Sequence, residues 1–375
     1  MVSNLLSGLF GGSYTSWIIP FLFILTIIVF FHELGHFLIA RLCGIKVLVF
    51  SIGFGPEVVG FYDQRGTRWK ISAIPLGGYV KFFGDENEAS VPDPATLAAM
   101  TEEERKQSFP GQPVPARAAV VAAGPIVNFI LAIVIFAGLF MAFGKPVVVD
   151  GKPVVLPQIA SVQAGSPAEA AGFAVRDWIV AVDGTSIDSF SDIQRLIGDS
   201  GGRSLTIEVD RDGSRITINA APTEKDGKWV LGITGQVKIE SVGFVGALDS
   251  GAEQTWRIVA MTMSYLHDVV LGRQSPNQIS GVIKIAQISG EAARIGWDAL
   301  LNLTAALSVS IGLLNLFPIP LLDGGHLLFY AIEAVRGRPL SERAQEVGFR
   351  IGLAIVLMLM IFATFNDLRS LVTRS

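Results

Sequence analysis

His32-Glu33-Leu34-Gly35-His36 is the segment with the clearest chemical content. On an α-helix, positions i and i+4 share a face, so both imidazoles can bind one metal ion while the carboxylate beside the first reaches a water held there. The chain has only four histidines, and half of them stand in this pentapeptide. The bland alternative is a pair of packing histidines with a partnered glutamate. The surroundings count against it, because residues 17–40 are otherwise almost wholly apolar and ionisable groups in such a run are costly unless they serve a site. Two histidines leave a catalytic zinc one protein ligand short. The single cysteine, Cys43, excludes a Cys-rich zinc site and an internal disulfide framework, which directs the search to carboxylates. Asp323 ends the stretch Asn315-Leu-Phe-Pro-Ile-Pro-Leu-Leu-Asp323, followed by Gly324, Gly325 and His326, in which Pro318 and Pro320 must interrupt a helix. Irregular backbone at membrane depth is tolerated where it is buried or lines a wet cavity. Asp323 is therefore expected as the third zinc ligand, the alternative being a helix cap at a bent junction. His326 is expected outside the ligand set.

The elements that must hold these residues are apolar helices. Half of the 375 residues are hydrophobic, only 17% are charged, and the mean hydropathy is +0.51. An average soluble domain carries about a quarter charged residues. The excess is concentrated in Trp17–Ala40, Ala118–Phe143 (broken only by Asn128), Leu300–Leu316 and Val347–Phe365. Each is long enough, or nearly so, for the ~20 residues that span a bilayer. The first run has no Lys or Arg before it, so it is expected to be a retained helix rather than a cleaved signal. Basic residues cluster in 41–117 and 336–343, which places both segments on the cytoplasmic side and the region 144–298 outside. The net charge of −4 and pI near 5.7 provide no basic face for nucleic acid.

Between the second and third runs the texture changes. Gln158–Glu224 alternates short β-like runs with one helix-like stretch, Ser191–Ile197, and Asp-Gly pairs at 183–184 and 212–213 mark turns. Glu253–Leu271 and Gln278–Ile295 have mixed faces, as expected of amphipathic helices on a membrane surface or of packing helices. Residues 85–113 are polar, acidic and proline-containing, and are expected to form a loop. Val47–Ile52 and Trp69–Val80 read as β-strands joined by a polar turn.

HELGH in the first span, Gly124-Pro-Ile-Val-Asn128 in the second, and NLFPIPLLDG (Asn315–Gly324) together resemble the site-2 protease family of intramembrane zinc metalloproteases. Gly44–Val47, Ser51-Ile-Gly-Phe-Gly-Pro56 and Ile74–Lys81 bring the likeness closest to the bacterial regulator of sigma-E protease branch. The resemblance covers most of 17–143 and 300–368. It implies Zn²⁺ held by His32, His36 and Asp323, Glu33 as general base, and Asn315 on the substrate backbone or the oxyanion, unless Asn315 merely closes the broken helix. It also implies that the hairpin dips into the membrane and pairs with an unwound substrate, with Gly53 and Gly55 permitting the turns and close approach. Ser166-Pro-Ala-Glu-Ala-Ala-Gly172 and Asp177–Gly184 are similar to the bacterial, permuted PDZ module.

The expected fold is a polytopic α-helical membrane protein with about four transmembrane helices, a membrane-associated β-hairpin and an inserted extracytoplasmic α+β PDZ-like domain. Its expected divisions are 1–143 (first membrane half), 144–250 (PDZ-like domain), 251–298 (membrane-surface helices) and 299–375 (second membrane half). The expected activity is that of a zinc-dependent intramembrane endopeptidase in the bacterial inner membrane, with its active site toward the cytoplasm and the PDZ-like domain in the periplasm. Its expected substrate is a single-pass membrane protein such as an anti-sigma factor, cut first by an upstream site-1 protease; no nucleic-acid partner is expected. The alternatives are an inactive membrane scaffold with a peptide-binding PDZ domain and a transporter, for which repeat symmetry is lacking.

Overall fold

The apolar run around HELGH is one 28-residue helix, α1 (Thr15–Leu42), in the computed structural model, which describes residues 15–85, 99–276 and 281–373. Two strands follow, β1 (Val47–Tyr62) and β2 (Arg68–Phe82), then a short helix α2 (Glu102–Gln107) and the long helix α3 (Val114–Phe143). Beyond a separate unit come α6 (Phe244–Val270), α7 (Val282–Ile295), α8 (Trp297–Asn315), α9 (Asp323–Arg336) and α10 (Glu342–Thr373). Ser16–Leu42, Val114–Phe143, Trp297–Asn315 and Arg343–Ser370 are long and apolar enough to cross a membrane. Their outward residues are apolar, as at Ile19, Val134 and Ile361, while Asn128, Thr304 and Ser308 are buried between helices. That inversion suits lipid as the solvent, and small residues carry the contacts. A Cβ on Gly35 would stand 2.5 Å from the Ala123 carbonyl oxygen, and one on Gly312 would stand 3.1 Å from Asn128 Cβ. Asp367 of α10 accepts hydrogen bonds from the Gly281 and Lys284 amides (2.8 and 3.1 Å), capping α7, whose own N-cap glycine offers no side chain.

The strands go beyond the expected hairpin. Phe50 is paired with Val80 on one side and with Trp69 on the other, and Tyr62–Glu57 pairs with Arg68–Ser72. Each long strand therefore contributes twice, and the ribbon folds over at Gly53 (φ 86°), Gly55 (φ 85°) and Gly77 (φ 97°), a backbone region open to glycine. Phe50 stacks on Trp69 and packs with Phe37, Val80, Phe82, Phe109 and Val120, joining the sheet to α1 and α3. Arg41, at the end of α1, holds the turn through Asp63 (2.5 Å) and Thr67 (2.7 Å).

The loop expected over 85–113 contains α2, which begins in a capping box: the Thr101 hydroxyl accepts from the Glu104 amide, and the Glu104 carboxylate accepts from the Thr101 amide. Residues 86–98 of that loop lie outside the described residues, as do 1–14 and the start of the expected 278–295 helix.

Residues Phe140–Gly243 form a second compact unit. Its main sheet comprises β3 (Val155–Val162), β4 (Trp178–Val182), β5 (Leu205–Arg211), β6 (Ser214–Ala220) and β7 (Ile233–Val237), in the order β6-β5-β4-β3-β7, with helices α4 (Pro167–Ala171) and α5 (Phe190–Gly198). Leu205, Ile207 and Val209 alternate inward, and α5 buries Phe190, Ile193 and Ile197 against them behind a Ser189–Asp192 capping box. Asp212-Gly213 turns β5 into β6 with both residues at positive φ, as a two-residue hairpin requires. Asp177, with its side chain 1% exposed, is gripped by Arg211 through two 2.7 Å bonds.

Candidate metal centre

His32 and His36 lie one turn apart on α1, and their Nε2 atoms stand 3.2 Å from each other. Asp323 is the first residue of α9, placed by the break at 316–322. Its Oδ2 lies 3.2 Å from His32 Nε2 and its Oδ1 3.7 Å from His36 Nε2. One donor atom from each of the three falls within 4.8 Å of the others. The Pro318/Pro320 segment folds back on the start of α9 so tightly that a Cβ on Gly324 would collide with the backbone of Leu316 and Phe317, while Leu321 is held at φ 102°.

The donor set fits zinc. Tetrahedral ligands about 2.0–2.1 Å from zinc stand roughly 3.3–3.4 Å from one another; the His32–His36 and His32–Asp323 Oδ2 spacings, both 3.2 Å, are close to that value, and one donor atom from each of the three lies within 4.8 Å of the others. Asp323 Oδ2 is buried and has no hydrogen bond, although it faces His32. A buried carboxylate oxygen left in that state is costly unless a cation meets it. His36 Nδ1 sits 2.8 Å from the Val120 carbonyl, which can only accept; Nδ1 therefore carries a proton, which leaves Nε2 as the atom that can face a metal.

Glu33 lines the same cavity of about 220 Å³, together with Gly78, Tyr79, Leu321, His326 and Tyr330. A Cβ on Gly78 would stand 3.1 Å from Glu33 Cγ and 2.8 Å from Val29, so strand β2 brings bare backbone against this carboxylate. A Cβ on Gly124 would lie 2.6 Å from His36 Cε1 and 2.8 Å from His32 Cε1, so α3 must be glycine where it meets the imidazoles.

The structure thus brings His32, Glu33, His36 and Asp323 together. Asn315, the last residue of α8, and Gly53 and Gly55, in the bend of the sheet, are not among the residues lining the cavity. Sequence reasoning assigned no role to Gly124, Tyr330 or Asn128. Asn128, wholly buried with Nδ2 3.2 Å from His32 Nδ1, shows in the sequence as a polar residue in an apolar run and as the end of the Gly124–Asn128 motif, neither of which names its partner.

A membrane-spanning chain with two imidazoles and a carboxylate converging beside a glutamate has the layout of a membrane metallopeptidase. Residues 20–359 match the model of peptidase family M50, and the chain belongs to that family. A zinc metalloprotease by name in Agrobacterium fabrum is 47% identical, with 96% of this chain and 98% of that protein covered. Another in Rhizobium meliloti is also 47% identical, covering 93% and 95%. The metalloprotease MmpA of Caulobacter vibrioides is 38% identical over 94% of this chain and 95% of its own length. The protein is a zinc-dependent endopeptidase and a multi-pass membrane protein of a family that acts on membrane-protein substrates.

Proposed function

We propose that His32, His36 and Asp323 hold the zinc ion, that Glu33 is the general base, and that the enzyme cuts a single-pass membrane protein within the bilayer. The observation that carries the reading is the convergence of the three donors, with Asp323 Oδ2 buried and unbonded, beside Glu33 in one cavity. Zinc, when bound, supplies Lewis acidity to the scissile carbonyl and to the attacking water. Glu33 takes the proton of that water on its carboxylate and returns it to the leaving amide nitrogen. The backbone at Gly78 lies beside Glu33, so an extended substrate strand adding to the sheet would pass the base with its carbonyls presented. Gly53 and Gly55 serve by bending that sheet, and Asn315 by holding substrate backbone or the oxyanion.

The exposed Val58, Val59, Phe61 and Ile74 suit a sheet that enters lipid. The unit at 140–243 is read as a single PDZ-like module on the periplasmic side of the inner membrane, filtering substrates already trimmed by a site-1 protease; an anti-sigma factor is the proposed substrate class. Family membership removes the reason to read the chain as an inactive scaffold.

The test is co-expression with a tagged single-pass reporter lacking its outer domain. Glu33→Gln should retain zinc and leave the membrane fragment uncut, a loss of about 10²–10⁴-fold, and Asp323→Ala should lose zinc. Equal disappearance of the fragment with wild type and Glu33→Gln refutes the reading.

A further inference from the structure

Val120, Gly124 and Asn128 lie at i, i+4 and i+8 on α3, on the one stripe that faces His32 and His36. The Val120 carbonyl accepts a hydrogen bond from His36 Nδ1 at 2.8 Å. Gly124 leaves room for both rings. Asn128, two turns from Val120, meets the other nitrogen of His32 at 3.2 Å, on the side away from the candidate ligand atom Nε2. The residue is closely held: Asn128 is wholly buried, its backbone carbonyl accepts from Ser308 Oγ at 2.8 Å, and Gly312 backs its Cβ.

The two orientations of the amide have the same outline but opposite consequences. With Nδ2 toward the ring, His32 Nδ1 accepts and Nε2 must carry the proton, pointing a hydrogen at His36 and Asp323. With Oδ1 toward the ring, Nδ1 donates and Nε2 keeps its lone pair for the metal. Only the second repeats what Val120 does for His36. It also gives both imidazoles the partner that metal-bound histidines usually have on their far nitrogen.

We infer that Asn128 is a positioning residue for the metal centre, its amide oxygen accepting the Nδ1 proton of His32 and thereby fixing the ring's tautomer and tilt. The inference rests on the ligand assignment proposed above. It predicts different fates for two substitutions of similar size: Asn128→Asp keeps an acceptor at Nδ1, whereas Asn128→Leu keeps the volume alone.

The experiment is zinc affinity of the full-length chain in detergent, measured by competition with a chromophoric chelator, with Asp323→Ala and His32→Ala alongside. Asn128→Leu should bind zinc about 10–100-fold more weakly, and Asn128→Asp should stay within about threefold of wild type, the threshold we set for retained acceptance. Wild-type affinity in Asn128→Leu, or an equal loss in Asn128→Asp, overturns the inference. Should Asn128→Leu fail to accumulate, Asn128→Ala carries the test: it also removes the acceptor and should weaken zinc by a similar factor, and wild-type affinity in it overturns the inference. Undiminished zinc binding in Asp323→Ala and His32→Ala would instead sink the ligand assignment.

Discussion

Gly124→Ala puts one methyl group where the structure has no room for it. The new Cβ would sit 2.6 Å from His36 Cε1 and 2.8 Å from His32 Cε1. Carbon atoms in contact prefer about 3.5–4.0 Å, so each ring must retreat by roughly 1 Å. The rings cannot slide apart freely, because they already pack edge to face with centroids 4.8 Å apart and His36 is bonded to Val120. Metal-ligand distances tolerate only about ±0.2 Å, so a displacement of this size should weaken zinc binding about 100-fold or more, which is about 2.8 kcal/mol at 1.4 per tenfold. The assay is chelator competition on the purified full-length protein, with reporter cleavage as a second readout. Gly138→Ala is the control on the same helix, since its Cβ would meet nothing within 4 Å. It should bind zinc as wild type does. Zinc affinity in Gly124→Ala within threefold of Gly138→Ala would refute the argument that α3 presses on the two imidazoles.

Three further outcomes bear on the scaffold. Arg211→Leu strips Asp177 of its bidentate partner and leaves only the Ala174 amide bond, which should cost about 3 kcal/mol and appear as faster amide exchange along β4 and β5. Asp367→Ala uncaps α7 and should cost about 1–2 kcal/mol, read as lost exchange protection at residues 281–285 with the 140–243 unit unchanged. The Asp183 carboxyl is held below its usual value by the Thr206 amide first and then by Arg203. A depressed folded pKa gives stability that is present above the unfolded value, about 3.9, and is lost as pH falls through the folded one. Protection of β5 should therefore decline in acid, and Asp183→Asn should flatten that decline; an identical acid limb in the variant would contradict it.

Local rules reached part of this molecule. The four apolar runs and the HELGH face needed only helical periodicity, and Asp323 emerged because a chain with one cysteine and a proline-broken span offers few donors. The groups that meet the far nitrogens of the two imidazoles carry no such local signal. A lone Asn128 in an apolar run announces a buried polar group, but its partner is set by the register of α3 against α1, which no single-segment pattern contains. The same holds for the sheet: alternation gave two strands, whereas the pairing of Phe50 with both Val80 and Trp69 is tertiary. By contrast, Thr101 and Glu104 spell the capping box of α2 in the sequence itself, a local signal that the acidic, proline-containing surroundings obscure.

His32 and His36 come from α1 and Asp323 from α9, so an ion on all three would be a rivet between segments nearly a chain length apart. The α1–α3 side of the joint has independent fastenings in the Gly35–Ala123 approach and the His36–Val120 bond. Further along, α9 is tied to α3 by the Arg117–Glu333 pair (2.6 Å) and by Arg117 over the Tyr330 ring, whereas its first residue is drawn inward against the strained turn at Leu321. Withdrawing the metal should therefore act unevenly, releasing the start of α9 while the wall it closes against stays in place. On this reading the far end of α9 is fastened by protein alone, and the end that carries Asp323 only once the cofactor has arrived.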